Sequence, residues 1–510
     1  MNWFNYVGLI IIIILLIPNI IALVKKPEWL IRTYKNKKLE LVEFVCRIGS
    51  IIFMIFNIPY LTLGLITDDF FVVYVFVNSL LAVLYVNFFI VCFKSHNKLR
   101  GYTLSIIPTL IFFLSGIFLL NFPLILFSIG FGISHIYLSI KNIQEEENPP
   151  KRKVLRNIAN VIISVFSVII LFALSAILYL TFVEYNPKQV EESEIYNNQS
   201  ELVSLNQEYT ILTWNVGYGA LDKDSDFFMD GGTQSKSSSK DAVLNNINAI
   251  ALNTLSHNPD FVFYQEVDID STRSRNVDEL SLLINKFSNY TYTRALNYKC
   301  EYVPIPIPPL GKVESGLLTF SKYNITSSNR FSLPSTFSWP VKVANLKRCL
   351  SINRIKIEGS EKELVLINFH LEAYDDGDAK IAQTKVLLSI LKEEYEAGNY
   401  VIAGGDFNQT FSSTMNYYPV YNENLWKPGV IEDSDFTEIG YQVCFDSKAT
   451  CRLLNHPYVN EDPTVNNQFY IIDGFVVSNN VIVDSSSGVI DYQFENTDHN
   501  PYKLIFKLGL

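Results

Sequence analysis

The chain has 510 residues, is 49% hydrophobic and has a mean hydropathy of +0.17, too apolar for one water-soluble globule and long enough for a multi-pass membrane region plus a large domain. Its net charge of −10 is unevenly placed: residues 1–187 carry 15 Lys/Arg against 9 Asp/Glu (+6), and the remainder 26 against 42 (−16). Such an acidic C-terminal part argues against tight, sequence-blind nucleic-acid binding, which depends on basic residues neutralising phosphates.

In chain order, residues 4–24 form an apolar run long enough to cross hydrocarbon. Its positive charges follow it and no small-residue cleavage site does, so it reads as a retained helix rather than a signal peptide. Further apolar spans run at about 45–66, 70–93, 102–120, 122–140 and 158–183, and in lipid they must be helical. Basic residues cluster after spans one (Lys25 to Lys38), three (Lys94, Lys98, Arg100) and five (Lys141 to Arg156), whereas Asp68 and Asp69 lie between spans two and three. The positive-inside rule therefore expects residues 1–183 to be a six-helix bundle in the plasma membrane, with the N-terminus and everything after Val183 outside. Merging spans four and five would reverse the last domain. The spans are nearly free of ionisable groups, and His135 reads as a packed or interfacial residue before it reads as a proton relay. An anchor is the plain reading, although interrupting Pro and Gly leave a receptor or transporter role open.

Residues 184–208 read as a polar connector, and a soluble domain is expected over 209–510, large enough for a double-sheet core with outer helices. Of its four cysteines, Cys444 and Cys451 are close enough in sequence to close a tight disulfide loop outside the cell. No paired C-x-x-C pattern supports zinc. Four Asn-x-Ser/Thr matches (Asn198, Asn289, Asn324, Asn408) are within chance for so Asn-rich a chain.

Chemistry-bearing residues recur where strand-like runs end. Ile211–Asn215 ends in a carboxamide, and Phe261–Glu266 in a carboxylate suited to Mg²⁺, which prefers oxygen ligands. Leu364–His370 puts Asn368 and His370 on one strand face. Tyr400–Ala403 leads into Gly404-Gly405, whose missing side chains let backbone and ligand approach, and then Asp406 and Asn408. Tyr470–Asp473 ends in a carboxylate, and Asp498-His499 precedes the last apolar run. A histidine can act as a base near neutral pH when a carboxylate orients its far nitrogen, and Asp473 is the candidate. Arg273 and Arg275 are candidates to grip a phosphate.

Together Thr213–Asn215 (TWN), Gln265-Glu266, Ser315–Tyr323 (SGLLTFSKY), Asn368–Ala373 (NFHLEA), Gly404–Asn408 (GGDFN), Ile471–Phe475 (IIDGF) and Thr497–His499 (TDH) resemble the motifs of the endonuclease/exonuclease/phosphatase superfamily. It includes DNase I-like nucleases, abasic-site endonucleases, neutral sphingomyelinases and inositol polyphosphate phosphatases. The resemblance implies a four-layer α/β sandwich of two packed mixed β-sheets with a cleft at one edge of both. It also implies Mg²⁺ or Mn²⁺ at Asn215, Glu266 and Asp498, with Glu266 the main ligand. His370 and Asn408 would contact phosphate, Asp406 would orient water, and Asp473 would support His499 as general base, with Asp406 the alternative base. Departures are Thr497, where Ser is usual, and Lys380 ahead of Gln383, where Arg is usual.

The function expected is a membrane-anchored, metal-dependent phosphoester hydrolase, foremost a phosphodiesterase outside the cytoplasm, acting on a lipid headgroup or a nucleic acid. An extracellular nuclease, a phosphomonoesterase and a noncatalytic receptor or scaffold on the same fold are the alternatives. The Pro-rich stretch Cys300–Leu310 is either a loop that meets membrane or substrate, or a rigid loop packed on the domain.

Overall fold

The computed structural model describes residues 5–25, 36–56, 69–94, 98–142, 177, 180–375, 377–422, 424–459 and 467–509. The chain divides into two compact units, Met1–Tyr179 and Leu180–Leu510.

In the first unit the helices are α1 (Tyr6–Lys25), α2 (Lys37–Ile55), α3 (Asp69–Lys94), α4 (Lys98–Phe118) and α5 (Phe122–Asn142). Among the described residues three stretches are long and apolar enough to cross a membrane, Val73–Cys92, Gly101–Phe118 and Phe122–Lys141, consistent with an integral membrane protein. Spans four and five are separate helices. The expected sixth span lies outside the described residues apart from 177 and 180–183. Helix α2 starts eight residues before the expected span at 45, because Asn36 caps it by accepting from Leu39 N at 3.2 Å. Its first turns therefore carry charge into the bundle. Buried Glu43 pairs with Arg47 and, at 2.7 Å, contacts His135 Nδ1, so His135 is hydrogen-bonded to a buried carboxylate as well as packed.

The second unit opens with β1 (Val190–Glu192), β2 (Ile195–Tyr196) and β3 (Glu208–Asn215), then α6 (Lys240–Ser256), β4 (Phe261–Asp268) and α7 (Glu279–Lys286). There follow β5 (Thr291–Val303), β6 (Gly311–Ser321), β7 (Ser327–Ser332), β8 (Cys349–Lys356), β9 (Glu363–His370), α8 (Asp378–Glu396) and β10 (Tyr400–Asp406). The rest is β11 (Gln409–Phe411), β12 (Gly429–Ile431), α9 (Asp433–Thr437), β13 (Tyr441–Cys444), β14 (Cys451–Arg452), β15 (Phe469–Tyr470), β16 (Asp473–Ser478), β17 (Val481–Val483), β18 (Gly488–Val489) and β19 (Tyr502–Leu508). One sheet runs β1-β7-β8-β9-β10-β16-β13, and the other β17-β19-β3-β4-β6-β5-β2 with β18 on β19. Both are mixed, since β9–β10 and β3–β4 pair parallel.

Alternation along the strands builds four layers. Tyr209, Ile211, Phe261, Phe263 and Phe506 of one sheet meet Leu364, Leu366, Ile402, Phe475 and Val477 of the other in a dry core. The opposite faces bury against helices: Leu212, Trp214, Val262 and Tyr264 against α6 and α7, and Val365, Ile367, Phe369 and Val401 against α8. This is the DNase I-like sandwich that the motifs imply.

Three expectations change. Part of the 184–208 stretch is strand: β1 joins β7 at the edge of one sheet and β2 joins β5 at the edge of the other. Cys444 and Cys451 are buried free thiols, each in its own strand, and form no disulfide. The two glycines serve packing rather than ligand approach. A Cβ on Gly404 would lie 2.2 Å from the Phe475 ring, and one on Gly405 (φ +145°) 1.9 Å from the Phe369 carbonyl oxygen.

Candidate active site

Five strands end at one edge of the sandwich. Parallel pairing of β10 with β9 sets Asp406 beside His370, and antiparallel pairing with β16 sets it beside Asp473. On the facing sheet Asn215 pairs with Gln265. A bulge between Tyr264 and Val267 and a positive φ of +59° at Glu266 turn that carboxylate out of the ladder. The loop carrying Asp498 and His499 hangs on β3: Trp214 Nε1 donates to the His499 carbonyl at 2.9 Å, and Thr497 Oγ1 to the Asn215 carbonyl at 3.1 Å.

Asp406 Oδ2 is the meeting point. Asn215 Nδ2 donates to it at 3.0 Å and to Glu266 Oε1 at 3.2 Å; His370 Nε2 lies 3.4 Å and His499 Nε2 3.8 Å away. His499 Nδ1 contacts Asp473 Oδ2 at 2.8 Å, while its Nε2 lies 3.7 Å from Asp498 Oδ2. His370 Nδ1 is 3.8 Å from Glu266 Oε1 and has no hydrogen-bond partner among the described residues. Asn408 (φ +49°) donates its backbone N–H to Asp406 Oδ1 at 2.8 Å and its amide to the Leu371 carbonyl at 2.9 Å, which braces the turn. All eight predicted residues thus gather at this edge. Asn215 is a bridge between two carboxylates, with its own oxygen on Gly217 N at 3.0 Å.

Between the sheets, Gln265 Nε2 donates to Asn368 Oδ1 at 2.8 Å, fixing the strands that carry Glu266 and His370. Asn368 is therefore a strut.

Burial raises the Asp406 carboxyl to about 7, with the Asp473 charge adding to the rise. Burial opposes the His499 charge, but Asp473 and Asp498 overcome it and hold the ring well above its usual range. His370 is pushed well below its range by burial and by the Arg348 and His499 charges. Their surroundings thus shift the two imidazoles in opposite directions.

Two arginines flank the edge, and only one is committed. Arg273 forks onto Asp268 at 3.0 and 2.9 Å, stacks 3.8 Å from the Tyr218 ring and lies 3.9 Å from Glu266. Arg275 donates to the Ser237 carbonyl at 2.8 Å and braces a loop instead of a ligand. Arg348, not anticipated from the sequence, is 5% exposed; its Nε lies 3.9 Å from the Glu372 carboxylate, and its Nε and Nη1 have no hydrogen-bond partner among the described residues. No strand-end pattern marks it, because it enters from the coil before β8. Buried Lys380 lies 3.9 Å from Asp375, and Gln383 accepts from Glu372 N at 2.9 Å.

Among the described residues two clusters have the geometry to hold a metal ion: Asp406, Asp473 and His499, and Cys451, Asp498 and His499. Burial pushes the Cys451 thiol up to about 12, so it stays protonated and is a poor metal ligand. That leaves an oxygen-rich set suited to a hard divalent cation.

The family model described as Endonuclease/Exonuclease/phosphatase matches residues 212–495. Comparison with curated proteins gives no match. Among solved structures, an endonuclease/exonuclease/phosphatase from Beutenbergia cavernae DSM 12333 aligns at 15% identity over 60% of this chain and 72% of its own, with a TM-score of 0.40. TDP2 from Caenorhabditis elegans aligns at 16% over 59% and 75%, TM-score 0.36. The human Nocturnin catalytic domain with bound sulfate aligns at 13% over 62% and 96%, TM-score 0.36. At such scores the superpositions add nothing to the family match. By its matched segment, which spans more than half its length, the chain belongs to the endonuclease/exonuclease/phosphatase family.

Proposed function

We propose that this protein is a membrane-anchored, divalent-metal-dependent phosphoester hydrolase, foremost a phosphodiesterase acting outside the cytoplasm. The observation that carries this reading is the convergence of Asn215, His370 and His499 on Asp406 Oδ2.

The carboxylates at this edge suit a divalent cation, and we assign it to Glu266 and Asp498, a pair distinct from the Asp406–Asp473–His499 cluster. Burial raises the Asp498 carboxyl, the His499 charge opposes the rise and the Glu266 charge adds to it, a repulsion that a cation between Glu266 and Asp498 would relieve. Mg²⁺ or Mn²⁺ would be held by these two carboxylates, with Asn215 fixing the Glu266 oxygen. When bound, the metal supplies charge stabilisation to the phosphoryl group.

The chain's own residues do the rest. Asp406 receives the proton of the attacking water, its raised affinity placing it near neutrality, where a base works best. His499, cationic between Asp473 and Asp498, donates a hydrogen bond to the charge that develops. Neutral His370 and the two unpaired N–H groups of Arg348 bind phosphoryl oxygens in a site already built to receive them. Asn408 holds the Asp406 turn. Bond formation to water oxygen and loss of the leaving oxygen occur at phosphorus, without a covalent enzyme intermediate.

The test is a phosphoester screen with the full-length protein in detergent, stripped of metal and then restored. We expect Mg²⁺- or Mn²⁺-dependent release from at least one phosphodiester; folded protein silent on nucleic acids, lipids and small diesters would remove the hydrolase reading.

A further inference from the structure

The catalytic unit carries an apolar rim where its chain arrives from the hydrophobic segment. We propose that this rim docks on the bilayer surface and presents the site to phosphoesters of lipid headgroups. The choice of substrate rests on the hydrolase reading above; the docking does not.

Three stretches form the rim. Leu180 packs on the cluster of Tyr298, Val303 and Leu310, next to the turn of the β5–β6 hairpin. Trp339 Nε1 donates to Thr181 Oγ1 at 3.0 Å, and Lys347 Nζ reaches Glu184 Oε1 at 2.7 Å. The arriving chain is thus fixed between the hairpin and the 334–347 loop. Around that anchorage large apolar side chains face outward: Ile307 is 95% exposed, Phe182 91%, Ile305 65% and Trp339 52%. The hairpin tip alternates Pro and Ile from Pro304 to Pro308, so it offers side chains without a row of free N–H groups to pair with another strand.

The occupant follows from the chain itself. The apolar run 158–183 ends in Thr181-Phe182-Val183, the same residues that are seated in the rim. Whatever solvent takes that run therefore lies against Ile305, Ile307 and Trp339 as well. A Trp beside aliphatic side chains is the composition of a membrane-interface anchor, and the tether removes most of the entropic cost of docking.

The rim also adjoins the site. Phe228 packs in the same cluster, and two residues on Asp230 accepts from Tyr374 OH at 2.9 Å. Lys347 is followed by Arg348, whose charge acts on His370.

The experiment uses the full chain in phosphatidylcholine liposomes containing spin-labelled lipid. An environment-sensitive fluorophore is placed on Ile307→Cys and, as control, on Ile482→Cys in β17, which is also exposed; the four native cysteines of this unit are buried. We expect a blue shift and lipid quenching at 307 and neither at 482. Equal behaviour at both positions overturns the proposal, as does a label at 307 shielded from aqueous quencher yet not quenched by lipid, which would mean protein cover. In parallel, the double variant Ile305→Asp, Ile307→Asp should lose about tenfold or more of its turnover on liposomal phospholipid while keeping turnover of a soluble nitrophenyl diester. Equal loss on both, or on neither, overturns the lipid assignment. No turnover of either by the unmodified protein removes the hydrolase reading and leaves the quenching to decide docking.

Discussion

The two ends of the sandwich are built from the same strands and spend them differently. At one end Tyr209, Phe261, Tyr323 and Phe506 stack ring on ring in a dry core. At the other, β3, β4, β9, β10 and β16 deliver amide, carboxylate and imidazole groups that repel, share protons and leave polar atoms unpaired. The closed end supplies the stability against which the open end can hold strained and charged groups.

Substitutions at the two ends should therefore separate cleanly. The largest effect belongs to the open end: His499→Ala should lower kcat about 10³–10⁴-fold with little change in KM, read by steady-state kinetics alongside an unchanged circular dichroism spectrum. Wild-type turnover would strip His499 of its role. At the closed end Phe261→Ala should cost about 3–5 kcal/mol of stability while the surviving folded fraction keeps its kcat, read by urea unfolding with activity per folded molecule. The smallest effect has a sign set by linkage. Folding raises the Asp406 carboxyl to about 7, so the folded state binds that proton more tightly than the unfolded one and stability falls as pH rises through this value. Asp406→Asn should thus gain on the order of 1 kcal/mol at pH 8, less at pH 5 and almost nothing at about pH 3, read as Tm at the three pH values; a gain at pH 3 as large as that at pH 8 would contradict the assigned shift.

What could be read from the sequence follows the same division. Glu266, His370, Asp406 and Asp473 were legible because each follows an apolar run, and the period of a strand fixes which edge its last residue reaches. Arg348 and Tyr218 were not, because one enters from coil and the other from a single 3-10 turn, where no periodicity tells a buried side chain from a solvated one. Residue type also misled. Gly404 and Gly405 look like a ligand cradle but make room for Phe475 and the Phe369 carbonyl. Cys444 and Cys451 are near in sequence, yet separate strands hold them in different surroundings. Helix α2 began early because Asn36, a local cap, outweighed the hydropathy boundary.

The stretch before β3 has a mechanical consequence. Within seven residues the chain adds Val190–Glu192 to the edge of one sheet and Ile195-Tyr196 to the edge of the other. A pull along the tether first meets the Trp339–Thr181 and Lys347–Glu184 contacts, next the β1–β7 ladder, and only after these give way does load reach β2 and β5. Force arriving along the tether is thereby dissipated at two outer seams in succession, far in the hydrogen-bond order from the β9–β10–β16 strands at which water and phosphorus would meet.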